Sequence, residues 1–207
     1  MNKGMFYKLT AILAVMLLQG CGVFQAPPRQ VELYTLAYPA PDAAEADTTL
    51  PVRLAVKPFR AVAPYHSDRM VYADNDYRRS TYVYHKWLSK PAQMIGSFIV
   101  RDIRAARIVE TAAEGTGNDP THVLKGRVEA FYEDDSRESW AAVLALSITL
   151  SKNAPAVSDS PVLLQKTYRV RRDLEQNNPL GFAKAMSRAL ETVSERMVAD
   201  IQEHLRQ

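Results

Sequence analysis

The sequence predicts an α/β fold: a two-layer sandwich whose mixed or antiparallel sheet carries two amphipathic helices on one face. Three observations predict it. From Ser139 to Leu150 the chain alternates, with Trp140, Ala142, Leu144, Leu146, Ile148 and Leu150 on one side and Ser139, Ala141, Val143, Ala145, Ser147 and Thr149 on the other. That is the period of a strand with one strongly apolar face. Two further segments repeat at helical spacing: Met94, Ile95, Phe98, Ile99, Ile103 and Ala106, then Phe182, Met186, Leu190, Val193, Met197, Ile201 and Leu205. A half-polar sheet and two one-sided helices bury their apolar faces against each other.

The elements follow in order. Val31 to Leu36 alternates and is β-rich, and Val52 to Val56 is a second strand ended by Pro58. Pro39 to Thr49 is a Pro/Ala/Asp loop. Short strands are expected near Arg69–Tyr72 and Thr81–Tyr84. Ser89 is placed to cap the first helix, with Pro91 in its first turn and Arg101, Asp102, Arg104 and Arg107 mainly on the polar side. A short strand at Arg107–Glu110 and a turn-rich loop at Glu114–Asp119 come next. Val123–Tyr132 opens a three-strand meander whose first turn is Tyr132-Glu133-Asp134-Asp135-Ser136-Arg137. Its last strand sets Val162, Leu164, Lys166, Tyr168 and Val170 against Gln165, Thr167, Arg169 and Arg171. Asn178-Pro179 starts the final helix.

The N-terminus carries a different signal. Lys3 and Lys8 precede the apolar run Ala11–Leu18, and Leu18-Gln19-Gly20-Cys21 follows. A basic region, a short apolar core and small residues before a cysteine form a secretory signal, here ending in a bacterial lipobox. The run is shorter than the ~20 apolar residues a membrane span needs. Residues 1–20 are therefore expected to be removed, leaving Cys21 as a lipidated first residue bearing diacylglycerol and an N-acyl chain. Several chains hold a membrane durably where one does not, at about 0.8 kcal/mol per buried methylene. Residues 21–30 form a tether around Pro27-Pro28, reaching roughly 30 Å at about 3.1 Å per residue. Residues 31–207 form a single domain beyond it. Gly22 stands where aspartate marks inner-membrane retention in many Gram-negative bacteria, so the periplasmic face of the outer membrane is the expected location.

Composition narrows the chemistry. The 207 residues include 26 basic and 23 acidic side chains. Losing Lys3 and Lys8 with the signal leaves 24 against 23, so no basic bias toward nucleic acid survives. Cys21 is the one cysteine, which removes disulfide frameworks and CxxC chemistry. His66, His85, His122 and His204 lack metal-ligand spacing. Glu133-Asp134-Asp135 lacks the alternation and glycine of a calcium loop and reads as a solvated turn. Gly115-Thr116-Gly117 does not extend into a phosphate-binding motif, and no serine sits in GxSxG. Catalytic residues, metal and dissociable cofactor are all read as none, so the chain is not expected to be an enzyme.

The segment Tyr65–Trp87 is unusual. It holds Tyr65, Tyr72, Tyr77, Tyr82, Tyr84 and Trp87 beside Asp68, Arg69, Arg78 and Arg79. Tyr, Trp and Arg are enriched at protein interfaces because they bury area while keeping a polar handle. Two readings stay open: rings packed over the sheet and first helix, or a partner or oligomer surface built from Tyr65, Asp68, Arg69, Tyr72, Tyr84 and Trp87. Arg169-Val170-Arg171-Arg172 is either a solvated strand face or a contact for lipid headgroups or an acidic partner.

Several pieces in order resemble one family. The lipobox at Cys21 is followed by Tyr34-Thr35-Leu36 and Val52-Arg53-Leu54-Ala55-Val56-Lys57-Pro58-Phe59. Tyr65-His66-Ser67-Asp68-Arg69-Met70-Val71-Tyr72 and Tyr82-Val83-Tyr84-His85-Lys86-Trp87-Leu88 come next. Together they resemble the ABC-type transport auxiliary lipoproteins, with Lys90-Pro91 departing from a more proline-rich pair. The resemblance implies a fold like the TolB N-terminal domain. It also implies a non-catalytic docking or conduit role beside an ATP-binding-cassette system with a mammalian-cell-entry (MCE) domain protein, moving lipid between two membranes. The alternative is a structural or regulatory envelope lipoprotein acting on a cell-wall synthase or secretion pore, since fold alone does not decide function.

Overall fold

The structure, a computed structural model, describes residues 30–43, 49–116, 119–136, 138–153 and 161–206. The expected signal peptide, Cys21 and the tether up to residue 29 lie outside the described residues. Within the described residues, nine strands and two helices follow in the order β1 (Glu32–Tyr34), β2 (Leu50–Val56), β3 (Arg60–Ala61), β4 (Arg69–Ala73), β5 (Ser80–Trp87), α1 (Pro91–Ala106), β6 (Val109–Glu114), β7 (His122–Asp134), β8 (Ala141–Lys152), β9 (Val162–Asp173) and α2 (Pro179–Leu205).

β7 organises the mixed sheet. One edge pairs antiparallel with β8 along nearly its whole length, and β8 pairs antiparallel with β9. The other edge is taken in succession by three strands, all parallel to it. These are β2 at His122–Leu124, β3 at Arg127–Val128 and β4 at Glu133–Asp134. β2 carries β6 in parallel, while β4 carries β5 antiparallel and β5 carries β1 in parallel. Both helices cover one face, as the sequence predicts. The core between the layers joins Leu124, Val128 and Phe131 to Leu144, Leu146, Ile148 and Leu150, and these to Ile95, Ile99, Phe182, Met186, Leu190 and Val193. Each such side chain contributes about 1.5–3 kcal/mol on burial.

Local chemistry sets the boundaries, and several differ from the sequence expectation. Helix α1 is not capped by Ser89: Lys90 is its N-cap, extended at φ −59° and ψ 138°, with no side-chain cap bond. Pro91 forbids a helical conformation in the residue before it and supplies the preset first turn itself. The helix ends at Arg107, left-handed at φ 52°, so the next strand begins at Val109 rather than Arg107. Helix α2 is capped by Asn178, whose Oδ1 accepts from the Gly181 amide at 2.8 Å. A Cβ on Gly181 would stand 1.9 Å from the Gln176 carbonyl oxygen, so only glycine lets the incoming chain cross there.

Asp102, expected on the polar side of α1, is fully buried. It accepts hydrogen bonds from the Tyr38 hydroxyl at 2.7 Å and the Ser194 hydroxyl at 2.5 Å, and Arg101 pairs with it at 2.7 Å. One carboxylate thus ties α1 to α2 and to the chain after β1, while Arg101 also lies over the Tyr38 and Phe98 rings. A buried charge is tolerated when paired and hydrogen-bonded in this way.

The acidic turn is the largest correction. β7 runs through Asp134, and Glu133 is fully buried instead of solvated. An irregularity between Val128 and Ala130 explains it. Before it, Leu124, Gly126 and Val128 face the helices; after it, Phe131 and Glu133 do. One extra residue in a strand moves every later side chain to the other face.

Candidate partner-docking surface

The aromatic segment divides between interior and surface. Trp87 ends β5 and is 1% exposed, its ring 5.0 Å from Phe131 and 5.4 Å from Phe182. Its amide donates to the Asp68 carbonyl at 2.7 Å, while its indole Nε1 has no hydrogen-bond partner among the described residues. Tyr65, at the end of a short 3-10 turn, is also buried. These two are core anchors for the strands that carry the remaining four candidates.

Those four occupy the β4–β5 wing. Asp68 pairs with Lys86 at 3.8 Å, and Lys86 stands opposite Arg69 in register. Arg69 is exposed and has no carboxylate partner among the described residues. Tyr72 is half-buried, its ring 5.1 Å from Tyr82. Tyr84 is exposed. The strand bulges in between: Arg69 pairs with Lys86 but Val71 pairs with Thr81, so two steps along β4 face five along β5. Such bulges re-aim side chains, and here the excess residues Val83 and Tyr84 are both exposed.

This bulge joins an apolar patch that sequence reasoning missed. Val31, Leu33 and Leu88 are 48%, 59% and 63% exposed. In register, Glu32 lies against His85, Leu33 against Lys86 and Tyr34 against Trp87, and the Leu88 amide donates to the Tyr34 carbonyl. Alternation therefore sends Val31, Leu33, Tyr84 and Leu88 to the face opposite Trp87. The clue available in the sequence was the pairing of Val31 and Leu33 at strand spacing, but nothing there says which face the sheet leaves uncovered. Exposed apolar side chains that adjoin one another, rimmed by Asp68, Arg69 and Lys86, have the anatomy of an interaction surface.

Behind the surface lies a buried acid. The Tyr82 hydroxyl donates to Glu133 Oε1 at 2.7 Å, and Glu133 Oε2 has no partner among the described residues. Burial pushes the Glu133 carboxyl up to about 7; the Tyr82 bond opposes that rise and the neighbouring Asp135 adds to it. Burial, with the Glu133 bond, raises the Tyr82 phenol too. The pair joins β5 to β7 through a buried hydrogen bond.

Among the described residues no group of three or more His, Cys, Asp or Glu side chains is placed to hold a metal ion. None of the described helices is long and apolar enough to cross a membrane.

Comparison with known proteins agrees with this architecture. The structure of protein XCC0632 from Xanthomonas campestris superposes with a TM-score of 0.76 at 19% identity, covering 86% of this chain and 98% of that one. The crystal structure of an uncharacterized protein gives 0.65 at 14% identity, covering 83% and 99%. The hypothetical protein CT253 from Chlamydia trachomatis gives 0.52 at 7%, covering 75% and 98%. At these identities the likeness is one of fold. No curated protein matches the chain. The model of the ABC-type transport auxiliary lipoprotein component matches residues 34–198, from β1 to the last turns of α2. With nearly the whole described domain inside that match, the chain belongs to the ABC-type transport auxiliary lipoprotein family.

Proposed function

We propose that this chain is a non-catalytic subunit, anchored by lipid at Cys21 to the periplasmic face of the outer membrane, that docks an MCE-domain protein of an ABC-type system moving lipid between membranes. Family membership makes it an envelope lipoprotein of a transport system. The observation that carries the docking role is the apolar patch of Val31, Leu33, Tyr84 and Leu88. Its first residue lies ten positions after Cys21, so a tether of roughly 30 Å keeps it near the membrane. Trp87 and the Tyr82–Glu133 pair hold the strand beneath it. A surface that is rigid, apolar at its centre and charged at its rim suits binding and needs no reacting group.

The test is co-purification. The detergent-solubilised full chain should retain the MCE-domain protein encoded beside it. Leu33→Asp and Leu88→Asp should each lower retention at least tenfold while leaving the thermal melt within a degree or two, because both side chains are exposed. Failure of the unaltered chain to retain that partner sinks the proposal. Mass spectrometry of the native protein should show the chain beginning at Cys21 with a diacylglyceryl group and an N-acyl chain.

A further inference from the structure

The face of the sheet turned away from the helices carries a trough of about 830 Å³ between β2–β3 and β7–β9. Its rim is cationic: Lys57, Arg60, Lys125 and Arg127 line it, with Glu129 as the sole carboxylate among the described residues there. The charges are arranged against one another. Arg60 and Arg127 are direct register partners. Val56 pairs with Leu124, and the Lys57 amide bonds the Leu124 carbonyl, which sets Lys57 beside Lys125. Like charges opposite each other in a sheet are destabilising. Lys57, Arg60 and Lys125 have no ion-pair partner among the described residues, and Arg127 reaches Glu129 only at 3.5 Å. Arg53 and Lys166, by contrast, each have a carboxylate close by, Asp119 at 2.8 Å and Asp200 at 2.6 Å.

The opposite wall supplies neutral donors. Lys125, Thr149 and Gln165 stand in one row across β7, β8 and β9. Pro58 and Phe59 provide apolar lining. Cations on one side, hydroxyl and amide groups on the other and carbon at the base match an amphiphilic phosphate. Size points the same way, since sites for whole organic molecules occupy roughly 300–1,000 Å³ and a bare anion would fill little of this one.

We infer that this trough binds the phosphodiester headgroup of an anionic glycerophospholipid, with Lys57, Arg60, Lys125 and Arg127 holding the phosphate and Thr149 and Gln165 the headgroup hydroxyls. The inference goes beyond the docking role, and its measurement contains no partner protein, so either can fail without the other.

Calorimetric titration of the full chain in non-ionic detergent tests it, with dihexanoyl-phosphatidylglycerol as the probe. Binding should be at least tenfold tighter than for inorganic phosphate, dihexanoylglycerol or a decaglutamate peptide. The double variant Lys57→Gln/Lys125→Gln should weaken it tenfold or more. Arg60→Glu should abolish it while leaving the melting temperature unchanged or higher, because the introduced carboxylate would pair with Arg127 in register. Loss of binding with an intact or stabilised fold separates recognition from folding. Equal affinity for inorganic phosphate would overturn the lipid assignment, and equal affinity for decaglutamate would make the trough an acidic-protein site instead. Equal affinity for dihexanoylglycerol, or binding indifferent to the charge changes, would overturn the role of the cations.

Discussion

Replacing Glu133 with glutamine should remove a penalty that the folded protein meets as pH rises. The carboxyl is fully buried, with one oxygen bonded to Tyr82 and the other without a partner among the described residues. Burial lifts its ionisation from the ordinary 4.5 to about 7. Below pH 4.5 it is protonated in both folded and unfolded chains. Between 4.5 and about 7 the unfolded chain ionises first, so stability falls with pH; above that range the loss is complete. At about 1.4 kcal/mol per tenfold change in proton affinity, the full displacement would be ~3.5 kcal/mol. The effective dielectric even around buried charges is well above that of dry protein, so we expect ~1–3 kcal/mol. An amide keeps an oxygen to accept from Tyr82 and never ionises. Urea melts followed by circular dichroism between pH 4.5 and 8 should show the parent losing that amount relative to Glu133→Gln. Other titrating groups are common to both chains and cancel in the difference. Parallel stability profiles would refute the reasoning and place the carboxyl in contact with solvent.

Two further outcomes follow from the packing. Trp87→Ala should cost about 3–5 kcal/mol in a chemical denaturation series, the range for emptying a buried aromatic site; a loss under 1 kcal/mol would show that Trp87 is not the anchor between Phe131 and Phe182. Gly126→Ala places a methyl 2.3 Å from the Phe59 ring and should cost about 1–3 kcal/mol. Adding Phe59→Leu should then recover part of the loss in a double-mutant cycle, and strict additivity would count against the contact.

Much of the fold was legible because it rests on local periodicity. The alternation about Leu144 and Leu146 and the two helical stripes each reveal an apolar face, and faces of that kind leave few ways to pack. Boundaries were legible where a residue's covalent chemistry acts alone, as with Asn178 before Pro179. They shifted where a neighbour overrode the cap: Ser89 has the right hydroxyl, yet Pro91 moves the N-cap to Lys90. The candidate surface was legible in composition but not in detail. Tyr65 and Trp87 share a segment with Tyr84, but two face the core and one faces out, and no periodic pattern separates them across a bulged strand.

The chain on its own determined what depends on short-range order: which stretches form strands and helices, which sides are apolar, and a cysteine placed after a signal-like leader. Only the tertiary structure decided which charged groups go inside and which surfaces stay bare. Asp102 and Glu133 are interior because distant residues, Ser194 and Tyr82, arrive to bond them. Arg60 and Arg127 confront one another because β3 takes the middle of β7's edge. Such placements come from register between segments far apart in sequence, and a single bulge reverses them, so they become visible only once the strands are paired.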